Sequence, residues 1–158
     1  FRRVLFRSGE VADDTTLARA LRRAAAEVED AHGLGVDLVC VGDRPMTEAL
    51  RPIVAAAREA MTNAAKHAGV DRIDVYLEAG NAEIELYVRD RGRGFEPDAV
   101  AQDRLGLRSS IIERMERHGG TAEVVTAPGA GTEVRLRLPA PTHATADATV
   151  EATAEEGT

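Results

Sequence analysis

Alternation of apolar and polar residues decides the fold of this chain, and it is clearest in the stretch Arg72-Ile73-Asp74-Val75-Tyr76-Leu77-Glu78-Ala79-Gly80-Asn81-Ala82-Glu83-Ile84-Glu85-Leu86-Tyr87-Val88-Arg89-Asp90. A period of two on both sides of a Gly-Asn turn predicts an antiparallel hairpin with one buried and one solvated face. Ile84, Leu86 and Val88 share the buried face, and the same period places Asp90 on it. Because an ionised carboxylate is costly to bury without a partner, Asp90 is a candidate for ligand recognition.

A helix is predicted just before the hairpin, beginning near Ile53 because Pro52 has no backbone donor. Its apolar residues recur at helical spacing and form one stripe: Ile53, Ala57, Ala60, Met61, Ala64 and Ala68. Glu59, Asn63 and Lys66 share another flank. A carboxylate, an amide and an ammonium on one flank suit a hydrated divalent cation and phosphates, although a merely solvated helix face would look the same.

The remaining elements are predicted from the same periodicities and from Gly or Pro at their ends. They are a helix over 15–31 with Asp13, Asp14 or Thr15 as its cap and Gly33 as its stop, a strand over 36–41, a helix over 107–118, and strands over 121–127 and 132–138. Three helices on one face of a five-stranded, mixed but mainly antiparallel sheet make an α/β (α+β) two-layer sandwich.

Two further polar features fall at the ends of these elements. A loop over 96–105 is predicted to end at Gly106, which would open the third helix with Leu107 and offer free amides to an anion. Thr132 has the inward parity of the last strand, as Asp90 has in the hairpin. These features and the polar flank of the Ile53 helix could therefore converge on one cleft.

Composition limits the possible classes of protein. The 158 residues are 44% hydrophobic, which fits one globular domain, and the net charge of −7 argues against nucleic-acid or anionic-membrane partners. Cys40 is the single cysteine, so no disulfide framework exists, and no apolar run is long enough to cross a bilayer. We expect an upstream remnant or foreign segment at 1–14, one domain at 15–140 and a disordered acidic tail at 141–158.

In their order and spacing, four motifs resemble the ATP-binding catalytic domain of sensor histidine kinases, a GHKL-type (HATPase_c) domain with the Bergerat ATP-binding fold. The motifs are Glu59-Ala60-Met61-Thr62-Asn63-Ala64-Ala65-Lys66-His67-Ala68, Asp90-Arg91-Gly92-Arg93-Gly94-Phe95, Gly106-Leu107 and Gly129-Ala130-Gly131-Thr132. The Lys66-His67 pair and the short 96–105 segment resemble the nitrate-sensor-like subfamily, in particular its actinobacterial members.

The resemblance implies ATP and Mg²⁺ as ligands. It also implies that residues of the first motif bind the metal ion and lie near the phosphates. Asn63 would bind Mg²⁺, and Glu59 would orient its water or the reacting groups. Lys66 and His67 would lie near the phosphates. Lys66 is also the only lysine among 20 basic residues.

The other three motifs would enclose the base and the rest of the phosphates. Asp90 would accept a hydrogen bond from the exocyclic amine of adenine, with Gly92 and Gly94 in the adjoining loop. Gly106-Leu107 would bind phosphate under a lid at 96–105. Gly131-Thr132 would close the site beside Asp90.

The resemblance also implies partners outside this chain. His32, His118 and His143 fit surface or helix-end positions, so the phosphoacceptor histidine would lie on the protein's own dimerisation domain. A response regulator would act downstream, and the full-length protein would be a cytoplasmic homodimer or a membrane-anchored one. Two alternatives stay open: an anti-sigma-factor-type serine kinase of the same fold, and a noncatalytic interaction module.

Overall fold

The computed structural model describes residues 16–96 and 102–141, with side chains from residue 108 onward in the second range. The predicted upstream segment 1–14, the middle of the predicted lid (97–101) and the predicted tail from residue 142 lie outside these residues. No helix in the described ranges is long and apolar enough to cross a membrane. The helices are α1 (Leu17–His32), α2 (Arg51–His67) and α3 (Gln102–Arg117), and the strands are β1 (Gly35–Val41), β2 (Arg72–Ala79), β3 (Glu83–Asp90), β4 (Thr121–Thr126) and β5 (Thr132–Pro139).

The five strands form one mixed sheet in the order β1-β2-β3-β5-β4. β1 pairs with β2 in parallel, and the other three pairs are antiparallel. The predicted two-layer sandwich and the predicted hairpin are therefore confirmed. In the β3–β5 ladder Asp90 stands opposite Thr132, so the two polar residues predicted to point inward meet at one end of the sheet.

The core lies between one face of the sheet and the three helices. The inward residues of β3 (Ile84, Leu86 and Val88) are almost fully buried, as is the whole predicted apolar stripe of α2. α2 is the central helix, because it packs against α1 on one side and α3 on the other. Each large apolar side chain buried in this way contributes roughly 1.5–3 kcal/mol.

α1 begins later than predicted, and its cap is a different residue. Thr16 is the N-cap; its extended backbone lets Oγ1 accept from the Arg19 amide at 3.3 Å. The candidates Asp13, Asp14 and Thr15 lie outside the described residues. A distant carboxylate adds a second cap, since Asp43 Oδ1 accepts from the Ala18 amide at 2.9 Å. Gly33 ends the helix with a φ of 65°, as predicted.

α2 begins at Arg51, which is two residues earlier than predicted, after a 3₁₀ turn at Glu48–Leu50. Pro52 was expected to break the helix, but it lies in the first turn. Amides there have no intrahelical acceptor, and the fixed φ of proline suits a helix. Proline therefore starts this helix instead of interrupting it.

α3 corrects a third prediction, because it begins at Gln102 and contains Gly106 in its second turn. The predicted loop therefore does not run to 105. A glycine costs only about 1 kcal/mol inside a helix, so the helix-compatible run Gln-Asp-Arg-Leu before it can extend the element.

Both ends of the described chain are attached to the loop at 43–45. Thr16 forms an isolated β-bridge with Pro45, and Arg44 Nη2 donates to the carbonyl oxygen of Pro141 at 3.2 Å. This loop follows the end of β1, where Val41 stands beside Glu78. It therefore lies at the opposite end of the sheet from Asp90 and Thr132.

Candidate functional site

A narrow cleft separates the C-terminal half of α2 from the adjacent ends of β3 and β5. It encloses about 20 Å³ and is lined by Asn63, His67, Ala68, Gly94, Phe95 and Thr132. Four predicted site residues are thus brought together, namely Asn63, His67, Gly94 and Thr132. Because this volume holds about one water, a larger ligand requires the Phe95 segment to move.

Asp90 lies beside this cleft, opposite Thr132 in the β3–β5 ladder. Its side chain is 5% exposed; Oδ1 accepts from the Gly92 amide at 3.0 Å, and the Thr132 amide also donates to the carboxylate. Burial raises the pKa of Asp90, although these two amides oppose the shift. Asp90, Thr132 and Gly131 also border a second concavity of about 240 Å³. The carboxylate is therefore fixed in place with acceptor capacity left for a ligand.

Two glycines allow the backbone segments around Asp90 to touch. A Cβ on Gly92 would collide with the carbonyl oxygen of Ala68 at the end of α2. A Cβ on Gly131, which has a φ of 74°, would collide with the carbonyl oxygen of Asp90. Glycine is therefore required at both places, and its absent side chain keeps the walls of the site at backbone distance.

Asn63 presents an unsatisfied polar atom in the cleft. Its Oδ1 is buried, and no described residue donates to it; the only other such side-chain atom in the described ranges is Nη1 of Arg44. A buried acceptor without a partner costs about 1–3 kcal/mol. An amide oxygen is also a hard ligand of the kind that Mg²⁺ takes, so the residue present fits the predicted metal.

Of the other predicted phosphate-side residues, Glu59, Lys66 and His67, only His67 lines the cleft. Glu59 is 17% exposed and binds Arg114 of α3, with 2.7 Å between Oε2 and Nη1. Lys66 is exposed, and within the described ranges it forms no ion pair. The predicted polar flank therefore holds a carboxylate that is paired and an ammonium that has no ion pair among the described residues.

Gly106 and Leu107 do not provide the free amides that the sequence predicted. Both lie beyond the first turn of α3, where each amide has a carbonyl four residues earlier as its acceptor. The prediction that Gly106 opens the helix is wrong, and the anion role given to Gly106-Leu107 loses its structural basis.

Two residues at the site were not found from the sequence. Arg114 holds Glu59, and Thr126 Oγ1 contacts the Phe95 amide, the Gly131 carbonyl oxygen and Thr132 Oγ1 at 3.0–3.1 Å. Thr126 could have been found from the register of β4 and β5 across the Pro-Gly turn, because this register sets Thr126 opposite Thr132.

A larger concavity lies elsewhere in the described residues. It encloses about 920 Å³ near the start of β2 and is bordered by Asp37, Asp71, Arg72, Asp74 and Arg91. Its charged side chains largely pair with one another, as Arg72 does with Asp37. The smaller cleft beside Asp90 holds the Asn63 oxygen, to which no described residue donates, and is the better candidate site.

Comparisons with known proteins agree with this geometry. A sequence profile of the family described as "Histidine kinase-, DNA gyrase B-, and HSP90-like ATPase" matches residues 49–142, which include both strands and the central helix of the cleft. The chain belongs to this ATPase family. The match covers Glu59, Asn63, Asp90 and Thr132.

Individual members of the family include sensor kinases. The chain is 35% identical over 82 residues to the sensor histidine kinase LiaS of Bacillus subtilis, which is 52% of this chain and 22% of that protein. It superposes on the histidine kinase domain of the blue-light activated kinase of Erythrobacter litoralis EL346 with a TM-score of 0.65 and 25% identity, covering 81% of this chain and 65% of the other.

The ATP-binding domain of PrrB from Mycobacterium tuberculosis superposes with a TM-score of 0.63 and 26% identity, covering 82% of this chain and 100% of the other. In contrast, the chain spans about a fifth of the length of the full-length kinases LiaS and YhcY. It therefore corresponds to one domain of this ATPase family.

Proposed function

We propose that this chain is the catalytic domain of a two-component sensor histidine kinase, which binds Mg-ATP and transfers the γ-phosphoryl group to a histidine. The observation that carries the proposal is the presence of two groups in neighbouring concavities that share Thr132: the buried carboxylate of Asp90, and the buried amide oxygen of Asn63, to which no described residue donates. One suits a base that donates hydrogen bonds, and the other suits a hard cation.

The base side of the proposal rests on Asp90 and its neighbours. Asp90 would accept from the exocyclic amine of adenine, in a position held by the Gly92 and Thr132 amides. Gly92, Gly94 and Gly131 would let the ring approach the backbone closely. Nucleotide entry would displace Phe95, because the present cleft is too narrow for a purine.

The metal side rests on Asn63, which would be the protein's ligand for Mg²⁺. When bound, the ion would neutralise charge on the phosphates; it commonly keeps several waters and binds through one or two protein oxygens together with phosphate oxygens. Lys66 is free to turn its ammonium toward the phosphates, and His67 lines the same wall. Glu59, held by Arg114, would orient the reacting groups.

The proposed reaction is a phosphoryl transfer in which positioning and charge stabilisation supply the rate. The bond between the γ-phosphorus and its bridging oxygen breaks, a bond from phosphorus to an imidazole nitrogen forms, and ADP leaves. The attacking nitrogen uses its lone pair, so the proton leaves from the other ring nitrogen, to solvent or to a carboxylate such as Glu59. The acceptor histidine would belong to a dimerisation domain of the full-length protein.

The finer parts of the proposal follow from the same family. We assign the catalytic unit to residues 15–140 and the subfamily to the nitrate-sensor-like group of actinobacterial type, on the Lys66-His67 pair. The full-length protein would be a homodimer that passes phosphate to a response regulator. Because ATP is the donor, this domain would work in the cytoplasm.

Calorimetry with Mg-ATP tests the binding step. We expect saturable heat and a higher thermal midpoint with Mg-ATP, and weaker binding when the metal is chelated. Absence of both heat and thermal shift would overturn the proposal and leave a noncatalytic interaction module.

Phosphorylation of the full-length protein tests the chemistry. We expect phosphate that is stable in alkali and labile in acid, which marks phosphohistidine. Acid-stable, alkali-labile phosphate on a partner protein would instead indicate a serine kinase of the anti-sigma-factor type.

A further inference from the structure

Thr126 has a hydroxyl that is fully used within the protein. Its Oγ1 lies 3.1 Å from the Phe95 amide nitrogen, 3.0 Å from the Gly131 carbonyl oxygen and 3.0 Å from Thr132 Oγ1. An amide N–H can only donate, a carbonyl oxygen can only accept, and a hydroxyl carries a single hydrogen. Thr126 therefore accepts from Phe95 and gives its hydrogen to Gly131.

This arrangement determines the direction of the third contact. The hydrogen of Thr126 is committed to Gly131, so the contact with Thr132 is a hydrogen bond only if Thr132 donates. The hydrogen of Thr132 then points at Thr126 and away from the cleft. Since Thr132 lines the cleft, its hydroxyl offers a ligand lone pairs alone.

Asp90 imposes the same polarity from the neighbouring strand. Its carboxylate already accepts from the Gly92 and Thr132 amides and has no hydrogen to donate when ionised. Asp90 and Thr132 stand opposite each other in the β3–β5 ladder. Asp90 and Thr132 both border the 240 Å³ concavity and present a pair of acceptors there, which matches an exocyclic amine with its two N–H donors and opposes a keto oxygen.

We propose that Thr126 is a positioning residue that sets the base selectivity of the nucleotide site by holding the Thr132 hydroxyl as an acceptor. The inference rests on the proposed nucleotide binding and adds a residue whose hydroxyl is already used within the protein. With the Thr126 hydroxyl removed, Thr132 can rotate and donate its hydrogen into the cleft. The Thr132 hydroxyl can then donate to the keto oxygen of a 6-keto purine, which it cannot do in the unmodified protein.

The test measures affinities for ATP and for inosine triphosphate, which carries a keto oxygen in place of the amine. In Thr126→Val, an isosteric change, we expect the preference for ATP over inosine triphosphate to fall about tenfold, which is the value of one hydrogen bond. Thr126→Ser keeps the hydroxyl and should keep the preference. Thr121→Val, on the exposed face of the same strand, is the matched control and should also leave it unchanged.

The ratio separates positioning from general damage. Loss of the Phe95 contact alone would weaken both nucleotides equally and leave their ratio unchanged. If Thr126→Val does not fold, Thr126→Ala gives the same comparison without adding a methyl group. An unchanged ratio in the hydroxyl-free variant, or an equal fall in Thr126→Ser, overturns the inference. Failure of the unmodified chain to bind either nucleotide overturns the proposed function instead.

Discussion

The two halves of the cleft differ in how far the protein itself satisfies their polar groups. On the strand side, Asp90, Thr126 and Thr132 are linked to one another and to backbone amides. On the helix side, the amide oxygen of Asn63 is unpaired and Lys66 is exposed without an ion pair in the described ranges. The strand side is organised before a ligand arrives, whereas the helix side needs one to be complete.

This difference has a simple structural origin. The ends of paired strands place backbone donors beside each other, so a carboxylate there finds partners from the ladder and its turns. A helix flank has no spare backbone donors, because its amides are used within the helix. Base recognition can therefore be built into the fold, while the phosphate side depends on side chains and on what they bind.

The largest effect should come from breaking the helix side at Asn63. We expect Asn63→Ala to lower Mg²⁺-dependent phosphoryl transfer in the full-length kinase roughly a hundredfold, the scale seen when metal sites lose supporting groups. The thermal midpoint without nucleotide should not fall, because the lost oxygen has no partner. Thr62→Ala, on the same helix, is the control. Full activity, or activity independent of metal in Asn63→Ala, would contradict the assigned role.

Breaking the strand side should affect binding and stability in opposite directions. We expect Asp90→Asn to weaken ATP binding roughly ten- to a hundredfold, as for a lost hydrogen bond to a charged group. Without nucleotide the same change should raise stability at neutral pH, because the buried charge is removed. Calorimetry and thermal unfolding measure the two effects. Asp74→Asn, on β2, serves as the control.

The pH dependence of this effect has a definite sign. The pKa of Asp90 is raised by burial in the folded protein, so the folded state binds more protons than the unfolded state above pH 3.8. Stability should therefore fall as the pH rises from 3.8 through the folded pKa, and Asp90→Asn should lack this fall. If Asp90→Asn instead lowers the stability of the nucleotide-free protein at neutral pH, the ionised carboxylate is stabilising and the expected sign is wrong.

A smaller effect is expected at Glu59, the helix-side carboxylate that pairs with Arg114. Arg114→Ala releases Glu59, so we expect kcat for phosphoryl transfer to fall about tenfold while ATP affinity changes little. Arg114→Lys should restore part of the rate. Arg58→Ala, which breaks the exposed pair with Glu27, is the matched control and should be neutral. A change confined to affinity would show that Arg114 acts on binding instead of on positioning.

The smallest effect should come from a residue outside both halves. Asp43→Ala removes the second cap of α1 and should cost about 1 kcal/mol of unfolding free energy, with no change in nucleotide affinity. Burial raises the pKa of Asp43, but hydrogen bonds from Ala18, Thr16 and Arg44 outweigh it and the pKa is lowered. This stabilisation should thus be present above pH 3.8 and be lost as the pH falls through the folded pKa.

Urea unfolding at neutral and acidic pH measures the contribution of Asp43. Asp30→Ala, at an exposed position on α1, is the control. A change in ATP affinity in Asp43→Ala would contradict the prediction, because it would show that the two ends of the sheet are energetically linked.

Much of the fold could be predicted because it depends on side-chain period alone. The alternation from Arg72 to Asp90 was enough to place the hairpin and to turn Asp90 inward, and the spacing along α2 identified its buried stripe. These features are local, and the structure confirms them.

The failures concern features that are not local. A glycine such as Gly106 predicts a helix end from its own properties, yet α3 begins four residues earlier. Thr126 looks like any polar residue of an alternating strand, and its role depends on which residue the turn sets opposite it. Arg114 reaches Glu59 only because α2 and α3 pack together. Such pairings follow from register and packing, which the sequence encodes only through the whole fold.

The attachment of both chain ends at the 43–45 loop has a mechanical consequence. Strands of seven or eight residues separate that loop from Asp90 by roughly 25 Å along the sheet. A pull on Thr16 or on Pro141 would therefore be shared with this loop, about one strand length from the proposed ligand site.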